Sequence, residues 1–355
     1  MKLLEKTKKR IARLVEKDFV IDVLNKRLPK YYKDFKAIKS IKLDPFKRHL
    51  GTTSAVFVVE YKIKYTSLEG GIKNIDIFVS AHSDGSRKDA YQKTKTLYNH
   101  GFGEGKYRVT KPLFFLAEQK AFFYVASPGR SFFNFFTQDT SADLTNAMKL
   151  VTGWIKKLHG FDIKASNFKW PSFDIMDMVP SPKKFTKDFY ASDSKLGKKI
   201  EMLVADLDKM DRQFRKKNGH QLIYGDFHPE NIIIESLEAK EIEMIDFTDI
   251  ALGDPMMDVG TFIQQFDFMG HNFVSRHDIN QYKKSFVEIY FAKDFKDIDI
   301  EYINRINLYQ SWTAMRSAVF LFYMKDVDNP IDDLLEDSVR YLALAKHNKR
   351  SIDVN

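Results

Sequence analysis

The chain has 355 residues, 44% hydrophobic and 30% charged, a net charge of +9 and no cysteine. This composition excludes a disordered chain, and the length predicts two domains or lobes. The missing cysteine excludes disulfides, iron–sulfur clusters, cysteine-ligated zinc and thiol nucleophiles.

Residues 1–28 read as a helix, because Ile11, Leu14, Val15 and Phe19 follow helical spacing. Residues 1–40 form a basic helical segment with 13 Lys and Arg against 5 Asp and Glu, so +8 of the net charge sits there and the rest of the chain balances to +1. Contact with nucleic acid or a membrane through residues 1–40 is one reading of that arm. The favoured reading is a helix packed on the body with a solvated basic face. No apolar run approaches the ~20 residues that span a bilayer. The charged N-terminus is not a secretory signal, and the chain reads as soluble and cytoplasmic with no integral membrane segment.

Residues 41–82 predict strands. Ala55–Tyr65 alternates in part, Gly70-Gly71 marks a turn, and Ile72–Ala81 returns. Arg87–His100 predicts a helix ending before Gly101. Leu113–Phe115 and Ala121–Ala126 predict two further strands, closed by Pro128-Gly129. From about 130 the pattern turns helical, with long periodic stretches at Leu144–His159, Lys198–Lys217 and 281–345. A sheet-rich part followed by a larger helical part is an α+β arrangement.

Between the helices lies QLIYGDFHPENIIIESLEAKEIEMIDFTDIALGDPMMDVG, residues 221–260. Asn231–Ile234 and Ile242–Phe247 predict two strands joined by a polar turn at Ser236–Lys240. A hairpin sets the start of its first strand beside the end of its second, which makes Asn231 and Asp246 neighbours. An amide oxygen beside a carboxylate is a hard-oxygen site suited to Mg²⁺, which keeps water and phosphate as its other ligands. Asp226, five residues before Asn231 on a loop, stands where it can orient and deprotonate an acceptor hydroxyl. Phosphoryl transfer needs these parts.

YGDFHPENIII (224–234) with IDFTDIALGDPMMDVG (245–260) resembles the aminoglycoside phosphotransferase and choline kinase group of the protein-kinase-like superfamily. Leu158-His159 and Pro128-Gly129 agree more weakly with its pattern. The resemblance implies a bilobal protein-kinase-like fold, with a small β-rich N-lobe over 41–126 and a larger helical C-lobe over 127–355. It implies a phosphotransferase moving the γ-phosphate of ATP or GTP, with Mg²⁺, to a hydroxyl of a small-molecule acceptor. Asp226 would be the catalytic base, with His228 shaping its loop, and Asn231 and Asp246 the metal ligands. Asp254 and Asp258 would tie the loop to the next helix. Tyr124, Val125 and Ala126, with Ser127 after them, would be the hinge that hydrogen-bonds the nucleotide base. Gly51, Thr52, Thr53 and Ser54 would form the turn over the phosphates.

The chain also departs from that pattern. Kinases carry a phosphate-binding Lys on the third strand, paired with a helix Glu. Here the Lys position falls near Ser80, and RKDAYQKTKTLYNHG (87–101) holds no Glu. Thr248 replaces the Gly that usually follows the Asp-Phe pair. Lys62, Lys64, Arg87 and Lys88 are candidates for the missing cation. A nucleotide-binding pseudokinase acting as scaffold or sensor is the alternative, opposed by the intact Asp226, Asn231 and Asp246.

Other patterns read as structure. GFGEG (101–105) follows a helix and lacks dinucleotide-fingerprint spacing. His271 and His277 are not spaced as zinc ligands, and no P-loop occurs. Residues 294–337 hold 10 Asp and Glu against 4 Lys and Arg, near Tyr309, Trp312 and Tyr323. An acidic, aromatic pocket for a cationic acceptor is one reading. The favoured one is solvated helix faces over core aromatics.

Overall fold

The computed structural model describes residues 2–51, 54–138, 141–218, 220–324 and 330–354. The chain divides into two compact units: Met1–Gly129 with Glu243–Thr248, and Arg130–Ile242 with Asp249–Asn355.

The first unit is built on a five-stranded antiparallel sheet. Its strands are β1 (Phe35–Leu50), β2 (Ala55–Ser67), β3 (Ile72–His82), β5 (Pro112–Leu116) and β6 (Ala121–Val125), with β4 (Tyr107–Val109) outside the sheet. The order is β1-β2-β3-β6-β5. β2 shows the period of a strand with one covered face: Ala55, Phe57, Val59, Tyr61, Ile63 and Tyr65 are all buried. The cover comes from the basic arm, which forms two helices rather than one. α1 (Lys2–Ala12) and α2 (Lys17–Arg27) are separated by a 3₁₀ turn at Arg13–Val15. Ile11, Leu14, Val20 and Leu24 join the sheet's core, and the Tyr61 hydroxyl donates to Leu14 O at 2.6 Å. The apolar face of the arm is therefore spent on the sheet, with its cations outward.

β1 runs from Phe35 to Leu50, well before the strand region expected from 41. Its sequence, FKAIKSIKLDPFKRHL, is exposed along most of its length. As an edge strand it needs few apolar positions, and its lysines suit a protected edge. α3 (Arg87–Leu97) ends three residues early, giving way to a wider turn at Tyr98–Phe102.

The second unit is mainly helical. It contains β7 (Arg130–Ser131), α4 (Phe135–Gln138), α5 (Ser141–His159), α6 (Pro182–Ser192) and α7 (Ser194–Asn218). After the short strands β8 (Gln221–Ile223) and β9 (Ile232–Ser236) comes β10 (Glu241–Met244), inside which the unit boundary falls. β11 (Ala251–Gly253), α8 (Met256–Gly270), α9 (Arg276–Phe291), α10 (Ile300–Tyr323) and α11 (Ile331–Lys346) complete the unit. α8 and α10 form its centre. They approach so closely at Gly260 that a Cβ there would stand 2.6 Å from Ile306 O. β8 pairs antiparallel with β11 and β7 with β9. Among the described residues no helix is long and apolar enough to cross a membrane.

Candidate active site

In the second unit, Asp226 lies on the segment between β8 and β9. Three local features shape it. Gly225 has φ +87°, and a Cβ there would meet Asp249 O at 2.4 Å, so only glycine fits this turn. Pro229–Asn231 forms one 3₁₀ turn. The Asn231 side-chain amide donates to Asp226 O at 3.0 Å, closing the loop.

The loop is anchored from α8. Asp258, fully buried, accepts the backbone N–H of Tyr224 through Oδ2 at 2.7 Å and that of Gly225 through Oδ1 at 2.9 Å. The same Oδ2 lies 3.0 Å from His159 Nε2, at the end of α5. His159 Nδ1 lies 2.8 Å from the Tyr290 hydroxyl. Asp254 is buried with Arg305, whose Nε donates to its Oδ2 at 2.7 Å. Asp258 thus ties the loop to α8, as the resemblance implied, whereas Asp254 meets the start of α8 and Arg305 of α10.

The Asp226 carboxylate meets two side chains. Arg316, on α10, donates to Oδ1. His228 Nε2 lies 3.4 Å from Oδ2. Burial pushes the Asp226 carboxyl up, but the Arg316 guanidinium and the His228 imidazole outweigh it and hold the carboxyl well below its usual range. His228 Nδ1 is buried without a hydrogen-bond partner among the described residues.

Asp226, His228 and Arg316 open onto a cavity of about 290 Å³. Its other walls are Glu230, Thr261, Gln265, Thr313 and Ser317, with Phe268, Met269, Phe320 and Leu321 as apolar surface. The polar groups are already ordered: the Thr261 and Thr313 hydroxyls are 3.0 Å apart, and Gln265 Nε2 donates to Ser317 Oγ at 2.9 Å. A larger cavity of about 660 Å³, beside Asp206, Asn304 and Lys346, holds no motif residue.

The acidic run after 294 does not line the 290 Å³ cavity. Asp326 and Asp328 lie outside the described residues. Tyr309 is buried with its hydroxyl donating to Asp211 at 3.0 Å, and the buried Trp312 donates to Ile175 O at 3.1 Å. Both are core aromatics, and Tyr323 donates to Asp188 Oδ2 at 2.5 Å.

In the first unit, β10 ends at Met244, so Asp246 lies beyond the strand expected to carry it. It takes a left-handed backbone conformation, φ +56°, which Asp tolerates better than most residues. Its Oδ1 accepts from Arg87 Nη1 at 3.0 Å and from the Thr248 hydroxyl. Arg87 Nη1 also donates to Thr248 Oγ1 at 2.6 Å. Lys93, buried on α3, donates to Thr248 O at 2.9 Å and pairs with Asp89 at 2.6 Å.

Tyr124 and Val125, expected as part of the hinge, end β6, with Ala126 next. Val125 N–H donates to Lys111 O at 3.0 Å, and Ala126 N–H donates to Asp76 O at 2.9 Å. Val125 O accepts from Thr110 Oγ1 at 2.9 Å. A nucleotide base pairing with these groups would have to exchange those bonds. Gly51 follows β1 and Ser54 precedes β2, whereas Thr52 and Thr53 lie outside the described residues.

Sequence reading missed Arg316. It follows Asp226 by 90 positions and belongs to no motif. The one available signal is a single cation in the helical stretch LYQSWTAMRSAVFLFY, where an unpaired charge would be costly.

The profile of the phosphotransferase enzyme family matches residues 94–284. That is more than half of the chain, and the chain belongs to this family. The fold is protein-kinase-like, as its solved neighbours share it. A putative aminoglycoside phosphotransferase from Ralstonia eutropha is 15% identical, with TM-score 0.53, covering 92% of this chain and 96% of its own. An ethanolamine kinase from Plasmodium vivax is 13% identical, with TM-score 0.51, covering 86% and 81%. An amicoumacin kinase, solved with AMP-PNP, Ca²⁺ and Ami, is 15% identical, with TM-score 0.51, covering 84% and 86%. No curated protein matches the sequence. The chain is a phosphotransferase of the small-molecule kinase class.

Proposed function

We propose that the chain transfers the γ-phosphate of ATP or GTP, in the cytoplasm, to a hydroxyl of a small molecule seated in the 290 Å³ cavity. The observation that carries the reading is Asp226 at that cavity, held ionised by Arg316 on a loop that Asp258 anchors.

A carboxylate held so far below its usual range is a weak base. In a loose phosphoryl-transfer transition state the acceptor needs little deprotonation before the phosphoryl group moves. Asp226 therefore acts mainly by accepting the hydroxyl's hydrogen bond, fixing its direction and taking the proton late. His228 limits where the Asp226 carboxylate can turn. Asn231 and Asp246 are the proposed ligands of Mg²⁺, which when bound neutralises phosphate charge. Tyr124, Val125 and Ala126 are the proposed neighbours of the base, and Gly51 to Ser54 the proposed turn over the phosphates. The cavity's hydroxyls and amide suit a polyhydroxylated acceptor, while its Phe268, Met269 and Phe320 supply apolar contact.

The test is turnover of ATP and GTP with Mg²⁺ against a panel of hydroxyl acceptors, wild type beside Asp226→Ala and Asp246→Ala. Turnover by wild type with one acceptor, lost in both variants, supports the reading. Nucleotide binding without turnover above the variants across the panel would make the pseudokinase the better account.

A further inference from the structure

Strand β3 carries Ser80 where a phosphate-binding lysine is expected. Ser80 is buried, opposite Val58 on one side and Phe122 on the other, so no cation leaves the sheet at this point. Four lysines of this unit have other engagements. Lys62 pairs with Glu60 at 3.3 Å, Lys73 with Asp34 at 2.7 Å, and Lys120 donates to Ser83 O. Lys93 is held by Asp89 and Thr248 O.

Arg87 differs from these. It opens α3 and places Nη1 on Asp246 Oδ1, the carboxylate proposed to hold the metal. Its Nε is buried and has no hydrogen-bond partner among the described residues. A guanidinium presents donors in a planar fork, and a buried donor without an acceptor is costly. The fork is thus partly used: Nη1 rests on Asp246 and Thr248, and the buried Nε has no acceptor among the described residues. Phosphate oxygens match that fork in charge and spacing.

We propose that Arg87 is the phosphate-binding cation of this chain, standing in for the lysine that β3 lacks, and that it passes from Asp246 to the nucleotide phosphates when the metal–nucleotide complex binds. The inference rests on the nucleotide reading above. A metal ion and a guanidinium compete for the same Oδ1, so the ion's arrival releases Arg87 beside the anion that needs it. In the absence of nucleotide, Arg87 holds the Asp246 carboxylate in place.

The experiment compares wild type, Arg87→Ala and Arg87→Lys in titrations with Mg²⁺-ATP, with adenosine, and with Mn²⁺ alone. Arg87→Ala is expected to weaken ATP binding by about 10- to 100-fold, the range for a charge-assisted hydrogen-bond pair, and to leave adenosine within about 2-fold. Mn²⁺ alone should bind it more tightly than wild type, because the competing cation is gone. Arg87→Lys should recover part of the ATP affinity. An Arg87→Ala variant with wild-type ATP affinity would overturn the assignment. So would equal weakening of ATP and adenosine, which is what a purely structural latch would give. Failure of wild type itself to bind ATP or GTP would instead overturn the nucleotide reading, and this inference with it.

Discussion

Replacing Asp258 by Ala removes one buried carboxylate and strands three donors: Tyr224 N–H, Gly225 N–H and His159 Nε2. A buried donor left without an acceptor costs about 1–3 kcal/mol. Three of them give an upper range of roughly 3–9 kcal/mol, reduced by relaxation and by water entering the gap. Breaking a buried charged network typically costs about 3–5 kcal/mol, so ~4 kcal/mol is the expected loss. Set against a total of about 5–15 kcal/mol, the variant should still fold at 25 °C. Asp258→Asn keeps one oxygen acceptor but turns an NH₂ toward a donor, and should cost about half as much. The assay is urea unfolding followed by tryptophan fluorescence. Trp154, Trp170 and Trp312, all the tryptophans of the chain, are buried in the same unit as Asp258, so the signal reports that unit. Turnover per folded molecule should also fall, because the two backbone donors immediately precede Asp226. An Ala variant within about 1 kcal/mol of wild type, with full turnover, would refute the anchoring role.

Two further outcomes follow from titrating groups. Arg316→Ala removes the cation beside Asp226, whose carboxyl is held low in the wild type. The acid limb of kcat/KM should move up by about 1–3 pH units, and an unmoved limb would show that Arg316 does not set the state of Asp226. Asp211 is the opposite case: burial pushes its carboxyl up to about 6 against the opposing charge of Arg215. Between about 4 and 6 the folded chain therefore holds a proton that the unfolded chain releases, so this group's contribution to stability is full below about 4 and falls as pH rises through 6. Asp211→Asn should abolish that decline, a relative gain of about 2–3 kcal/mol at pH 7 over pH 4. Equal pH slopes in wild type and variant across this window would contradict the assignment.

The parts readable in the sequence were those whose partners lie close along the chain. Asp226, Asn231 and Asp246 fall within one short segment, and they were named from its hairpin pattern and its resemblance to a family motif; their roles are those proposed above. The buried face of β2 was visible because burial on one side imposes alternation. The first half of β1 was not, since an edge strand rich in lysine carries no such signal. The break in the arm at 13–15 was also hidden, because apolar positions on both sides of it keep helical spacing. Arg87 and Arg316 illustrate the deeper limit. Their partners are 159 and 90 residues away, and an arginine on a helix looks the same in sequence whether it faces solvent or a carboxylate. Arg87 could be named only as one of four candidates near the missing lysine, and Arg316 had no motif to attach it to.

These two arginines place the charges of the reaction in a common pattern. In each unit one motif carboxylate rests on an arginine from a helix of that unit: Asp246 on Arg87 of α3, Asp226 on Arg316 of α10. Both pairs are partly exposed, so neither contributes much stability by itself. Pairing fixes the direction of each carboxylate. The energetic consequence separates the two. Arg87 shares its carboxylate with the proposed metal, so the pair must break for the metal to bind. Arg316 meets one Asp226 oxygen and His228 stands 3.4 Å from the other, so the proposed acceptor hydroxyl would exchange with the imidazole while the arginine pair stays intact. On the proposed reading the Asp246 pair is an exchangeable contact and the Asp226 pair a lasting one, and only the first should weaken as metal is added.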